Sequence, residues 1–242
     1  MLRNINPAGE PVEDVLGLYM SDERRVGGRP WLMLNFVTSI DGGTTVEGTS
    51  TGLGDADDKE LFMTLRAVPD VILVGAATVS AEDYGPVSLD DERRRRRLEA
   101  GLSEVPVLAI VSGRLSIDPE ARVFSDSEHR PLILTGPEAA PAKLAMLGDA
   151  ADVIFLDDLT APGILAHLGA VGVVLCEGGP TLAGQFVTPG LVDEVHLTLA
   201  PKMISGRSAR MTSGAPADPP LGMRLDRALM GEESLFLRYL RA

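Results

Sequence analysis

Short apolar runs alternate with amphipathic stretches along the 242-residue chain. Residues 31–37 are apolar almost throughout, which suits a strand covered on both faces. Runs of the same kind at 71–75, 105–111, 131–135, 153–156 and 171–176 predict further buried strands. Helical spacing fills the gaps at 12–20, 138–147, 161–168 and 181–187, and at 56–66 behind Asp55, an N-cap followed by an acidic first turn. In that last helix Leu61, Phe62 and Leu65 supply the apolar face. Strand and helix in alternation predict an α/β fold, a mostly parallel sheet with helices on both sides.

The C-terminal part follows another rule. Residues 192–200 and 234–240 read as strands with no helix between them, only a Gly/Pro/Ala-rich loop at 205–222. They predict an antiparallel pair at one edge of the sheet. No repeat or long linker appears, so an N-terminal arm over residues 1–28 and one domain over 29–242 are expected.

Composition narrows the function classes. Hydrophobic residues make up 45% of the chain, enough for an ordinary core, and no apolar run reaches the ~18 residues of a membrane span. With no apolar signal core at the start, a cytoplasmic location is expected. A net charge of −13 disfavours nucleic acid and anionic membranes, because Lys and Arg supply most nonspecific phosphate affinity. Small molecules are the expected partners. The single cysteine, Cys176, precludes an internal disulfide, and His129, His167 and His196 have no metal-binding spacing, so no metal is expected.

One stretch concentrates candidate chemistry. The run Val173-Val174-Leu175-Cys176 ends in Glu177-Gly178-Gly179-Pro180-Thr181-Leu182. Paired glycines let a ligand approach the backbone, Pro180 suits a first helical turn, and the amides of a helix start attract phosphate. Gly75 ends another apolar run before Ala76-Ala77-Thr78, so in a parallel sheet its loop lies beside that of Glu177. A small-residue loop at 44–54 is placed to lie over a ligand.

The series Asn35-Phe36-Val37-Thr38-Ser39-Ile40-Asp41-Gly42, Leu65-Arg66-Ala67 with Asp70, Val74-Gly75-Ala76-Ala77-Thr78 with Asp83, Glu177-Gly178-Gly179-Pro180-Thr181-Leu182, Leu191-Val192-Asp193-Glu194 and Leu199-Ala200-Pro201 resembles the reductase domain of bacterial riboflavin biosynthesis. The resemblance runs from about Arg29 to the C-terminus. It implies a dihydrofolate-reductase-like three-layer fold, NADPH as cofactor, a homodimer, and reduction of the ribose of 5-amino-6-(5-phosphoribosylamino)uracil, or its diamino-pyrimidinone analogue, to ribityl. It further implies substrate contacts at Asn35, Ser39, Thr78 and Asp83, and a proton donor or water organiser at Asp41 or Glu177. The cofactor cradle is implied at Gly75, Gly178, Gly179, Thr181 and Leu182, with Ser112 and Thr135 flanking the adenosine half. The zinc signature of the deaminase domain found in bifunctional members is absent from this chain, so the resemblance is to a stand-alone reductase. Gly43 stands where the family usually has Lys or Arg, and Asp83-Tyr84-Gly85-Pro86 replaces Asp-Asp-Pro-x-Leu.

Blander readings stand beside these. Glu177 can cap the helix at Pro180, Asp41 can be a turn residue, and Gly75 and Thr78 can end a strand and cap a helix. The run Arg93–Arg97 reads as a solvated helical face, with phosphate contact as its sharper reading, and Lys202, Arg207 and Arg210 compete for that contact. Cys176 and His196 read as packing residues. A dihydrofolate or other pterin reductase, and an NADPH-binding regulatory protein without turnover, are the alternatives.

Overall fold

In the computed structural model, which describes residues 3–4, 11–125 and 129–242, hydrogen bonds join the strands into a single sheet. In chain order the elements are β1 (Arg3–Asn4), α1 (Val15–Met20), β2 (Trp31–Ser39), α2 (Ala56–Arg66), β3 (Val71–Gly75), α3 (Ala76–Ala81), α4 (Asp91–Glu99), β4 (Val107–Val111), β5 (Leu132–Thr135), α5 (Pro141–Leu147), β6 (Asp152–Phe155), α6 (Ala161–His167), β7 (Val173–Cys176), α7 (Pro180–Val187), β8 (Glu194–Ala200), β9 (Met223–Met230) and β10 (Leu235–Arg241). The sheet order among the described residues is β1-β9-β10-β8-β2-β7-β3-β4-β5-β6. From β8 to β6 every pairing is parallel, and β10 runs antiparallel to both β8 and β9. The mostly parallel sheet with antiparallel strands near one edge is therefore the observed fold.

Strand alternation sorts the core onto two faces. Met33, Ile72, Val74, Ile110 and Leu175 pack with Leu61 and Leu65 of α2 on one side. Leu32, Leu34, Val71, Leu73, Val174 and Cys176 pack with Ile164, Leu165 and Phe186 of α6 and α7 on the other. Burial drives the Cys176 thiol up to about 12, so it packs as an apolar side chain. Among the described residues no helix is long and apolar enough to cross a membrane.

Several expectations need correction. Strand β9 has no counterpart in the periodicity, and it makes β10 an interior strand instead of the edge expected from the sequence. The segment expected to form an N-terminal arm touches the sheet at two places. Residues Arg3 and Asn4 pair with Met230 and Leu229, and Arg24 makes two 2.9 Å bonds to the buried Glu194. Glu194 also accepts from Trp31 Nε1 (2.9 Å), His196 (2.7 Å) and Arg238 Nε (2.7 Å). Burial opposes charge on Glu194, but the His196 hydrogen bond and the Arg24 guanidinium outweigh it and hold the carboxyl far below its usual range. As an ionised carboxylate only accepts, His196 Nε2 carries the proton it donates.

The arginine run is not a solvated face throughout. Arg97 is buried and donates to the carbonyls of Ala67 (3.0 Å), Pro69 (2.6 Å) and Ser103 (2.8 Å), while Arg93 pairs with Glu60 and Asp90. Only Arg95 keeps half its side chain in water, paired with Glu92 and Glu99. None of these arginines reaches the cleft described next.

Candidate active site

The carboxyl ends of β2, β7, β3 and β4 open into a cleft of about 1630 Å³. Such an end is where ligands bind in α/β sheets, since the connecting loops diverge there. Asn35, Phe36 and Val37 line it from β2, Glu177, Gly178 and Gly179 from the end of β7, Gly75 and Thr78 from the β3–α3 junction, and Val111 and Ser112 from β4. Thr181 and Leu182 of α7 border the same space. The loop at 44–54 contributes Thr44, Thr45, Gly48, Ser50, Thr51 and Gly54.

The backbone between Gly75 and Gly179 is drawn together. Gly75 N–H donates to the Gly178 carbonyl at 2.9 Å, and Glu177 N–H donates to the Leu73 carbonyl at 3.0 Å. Gly178 has φ +106°, open to glycine and strained for other residues. A Cβ on Gly179 would stand 2.6 Å from Thr78 Oγ1, so the Thr78 hydroxyl of α3 sits directly against the Gly179 backbone. Helix α7 starts at Pro180 with no side chain capping its amides. Pro180, Thr181 and Leu182 of this helix start line the cleft, a setting suited to an anionic oxygen.

Glu177 is not a free carboxylate. Arg66 grips it as a fork, Nε to Oε1 at 2.9 Å and Nη2 to Oε2 at 2.7 Å, and the Tyr84 hydroxyl donates to Oε2. Its side chain is only 3% exposed. Arg66 also lies over the rings of Phe62 (4.2 Å) and Tyr84 (5.1 Å), so all four side chains form one plug at the cleft wall. Glu177 does not cap α7, whose N-cap is Gly179.

Other expected residues lie outside the lining. Asp41 is exposed and clamps a loop: it accepts from Ser39 Oγ (2.6 Å), Ser205 N–H (2.7 Å) and Ile204 N–H (3.2 Å). The Ser39 hydroxyl first, and then these amides, hold its carboxyl down to about 2, so it carries no proton to donate near neutrality. Ser39 is buried in the same clamp. Asp83, at φ +45°, turns its side chain to solvent and pairs with Arg122 at 3.1 Å. Thr135 is fully buried and reaches only the Ser112 carbonyl, at 2.7 Å. Lys202, Arg207 and Arg210 do not line the cleft either, and Lys202 Nζ donates to the Gly52 and Leu53 carbonyls at 2.9 Å.

The cleft includes residues to which sequence reasoning gave no role in a site: Asp58, Lys59, Phe62 and Arg66 from α2, then Tyr84 and Arg122. Phe62 belongs to the cleft wall and not to the core face of α2. The signal was present in the i, i+4 spacing of Asp58, Phe62 and Arg66, which puts them on one helical strip.

The sequence pattern of the RibD C-terminal domain matches residues 30–231. The chain belongs to this family. Among its relatives, the 2,5-diamino-6-ribosylamino-4(3H)-pyrimidinone 5′-phosphate reductase of Methanothermobacter thermautotrophicus is 29% identical over 87% of this chain and 98% of its own length. The protein of the same name from Archaeoglobus fulgidus is 28% identical over 75% of this chain and 84% of its own. A crystal structure of a pyrimidine reductase-like protein from Corynebacterium diphtheriae superposes with a TM-score of 0.78 at 30% identity, covering 88% of this chain and 92% of that one. The riboflavin biosynthesis reductase Rib7 of Saccharomyces cerevisiae shares the fold at 17% identity and a TM-score of 0.66. The RibD C-terminal domain thus occupies nearly all of the described chain.

Proposed function

We propose that this RibD C-terminal domain protein is an NADPH-dependent reductase that converts the ribose of a 5-phosphoribosylamino-pyrimidine to ribityl. The observation that carries the reading is the cleft itself, where Glu177-Gly178-Gly179 and the uncapped start of α7 meet Gly75 and Thr78, with Lys59 also in the lining. The family, and the names its relatives bear, supply the substrate class.

A dinucleotide suits the residues present. Gly75, Gly178 and Gly179 leave backbone open at the strand ends, the amides beside Thr181 and Leu182 suit a pyrophosphate, and Ser112, buttressed by Thr135, borders the adenosine half. When bound, NADPH supplies the hydride that reduces the anomeric carbon. Asn35 and Thr78 offer hydrogen bonds to the sugar and pyrimidine. Lys59 is exposed at the cleft, and its ammonium is placed for the substrate phosphate. Glu177, fixed by Arg66 and Tyr84, accepts from ribosyl hydroxyls and orients the water that protonates the amine nitrogen. Asp41 and Ser39 act on this site through the loop they hold. We further propose a homodimer and a cytoplasmic location, the first measurable by sedimentation velocity.

The test follows the absorbance of reduced nicotinamide on offering the ribosylamino-pyrimidinone phosphate, its uracil counterpart and dihydrofolate in parallel. Turnover of a ribosyl substrate that falls at least ~100-fold in Glu177→Gln supports the reading. Turnover of dihydrofolate alone replaces the substrate. Tight NADPH binding with no turnover leaves a regulatory protein.

A further inference from the structure

The connection between β8 and β9 touches two separate parts of the cleft. Its first half holds the loop at 44–54. The Ser208 hydroxyl accepts from the Thr44 and Thr45 amides at 3.0 Å each, and the Ala209 carbonyl accepts from the Thr44 amide (3.1 Å) and hydroxyl (2.9 Å). Lys202 Nζ takes the Gly52 and Leu53 carbonyls at the loop's other end. Gly43 permits this approach, since a Cβ there would collide with Ile204 Cδ1 and stand 2.8 Å from Ser208 Cβ. The second half lies along α7. Ser213 N–H donates to the Pro180 carbonyl at 2.9 Å, the Ser213 and Thr181 hydroxyls meet at 3.4 Å, and Thr188 Oγ1 donates to the Ala215 carbonyl at 3.0 Å. Gly184, inside that helix, is the seat: a Cβ on it would overlap the Ser213 carbonyl oxygen. Glycine is unfavourable inside a helix against alanine, and the backbone that crosses it here accounts for its presence.

We propose that residues 201–215 act as a strap: a nucleotide held at the start of α7 fixes, through them, the loop at 44–54 over the second ligand, with Gly184 and Ser208 as positioning residues. This rests on the reductase reading above, which puts the cofactor at α7, and adds the link between cofactor and substrate. The route is short. Thr181 lines the cleft and meets Ser213, so a ligand that immobilises the start of α7 immobilises the seat of the strap. Ser208 and Ala209 then present a hydroxyl and a carbonyl to Thr44 and Thr45, which line the cleft in turn. Asp41 belongs to the same device, because its bonds to the Ile204 and Ser205 amides hold the near end of the strap. A loop already ordered when the second ligand arrives loses less conformational entropy on binding it, which gives positive coupling without a new contact between the ligands. Such coupling is reciprocal: each ligand tightens the other by one factor.

The experiment uses NADP⁺ with the ribosylamino-pyrimidinone phosphate, a pair that binds without hydride transfer, and measures by calorimetry the Kd of each alone and in the presence of the other. In the wild type each should tighten the other by ~5-fold or more. Gly184→Ala displaces the strap from α7, and Ser208→Ala removes its grip on Thr44 and Thr45. Both should bring the factor below ~2 while leaving the Kd of NADP⁺ alone within ~3-fold, whereas general damage would weaken NADP⁺ alone. Hydrogen exchange reads the same link with no substrate present: NADP⁺ should slow the amides of 44–54 in the wild type and in neither variant. A wild type that binds the two ligands independently, or either folded variant that retains the wild-type factor, overturns the strap while leaving the reductase reading standing. Failure of the wild type to bind NADP⁺ overturns the reductase reading, and this inference with it.

Discussion

Beneath the antiparallel strands, Glu194 accepts from Arg24, Trp31, His196 and Arg238, each within 2.9 Å. At the cleft, Asp58 has no ion-pair partner among the described residues, and Lys59 stands exposed at the rim. Both regions are rich in charge, and what separates them is whether the charges are spent on one another. A fully paired cluster fixes architecture, since any loss leaves an uncompensated buried ion. An under-paired one keeps its capacity for a ligand. Glu177 stands between the two: it lines the cleft, yet its fork to Arg66 leaves its side chain 3% exposed.

That contrast can be broken most directly at Glu194. Glu194→Ala takes from the buried Arg24 and Arg238 the carboxylate they share, leaving them only Asp22 and Asp226, and should cost ~3–5 kcal/mol in urea denaturation, with NADPH affinity of the folded protein unchanged. A loss below ~1 kcal/mol would mean that the cluster is not the anchor described. On the cleft side, Gly178→Ala forces a Cβ onto a backbone at φ +106°. Strain of ~1–3 kcal/mol should appear as at least a tenfold rise in NADPH Kd, read by fluorescence titration. Wild-type affinity in this variant would remove the Gly-Gly turn from the cradle.

A third test is pH. Burial first, and with it the Arg24 and Arg238 charges, keeps His196 below its ordinary value despite Glu194. The unfolded chain then binds the additional proton first, so stability should decline as pH falls below about 6.5, and His196→Gln should flatten that slope in thermal melts. The smallest effect belongs to Asp41. Because it clamps Ile204 and Ser205 outside the cleft, Asp41→Asn should leave kcat within ~3-fold, and a loss beyond ~100-fold would return it to the chemistry.

The parts of this molecule that could be read from sequence are those decided locally. The apolar runs that became β2, β3 and β7, the Asp55 cap of α2 and the Gly-Gly-Pro start of α7 each depend on constraints within a few residues. Strand β9 escaped because Arg224, Asp226 and Arg227 interrupt its alternation, and what makes them tolerable lies elsewhere: Arg227 pairs with Asp22, and Asp226 with Arg238. Arg97 was misread for the same reason, as its carbonyl partners include Ala67 and Pro69. In the site, Glu177 and its glycines announced themselves by composition. Arg66 and Tyr84 become site residues only through bonds to a residue 111 and 93 positions away. Asp58 was hidden by its own helix start, where an acidic residue needs no further explanation.

The turn after α3 holds three consecutive side chains that go three ways. Glu82 takes the Ser50 amide of the overlying loop, Asp83 takes Arg122, and Tyr84 takes Glu177. It therefore works as a gauge block: the separation of roof, rim and floor is set by a few residues, of which only Tyr84 touches the hydrophobic interior. Aperture can change there while the sheet beneath stays as it is. A library confined to residues 82–86 would vary which molecules fit while sparing thermal stability, and that is where a search for altered substrate range should begin.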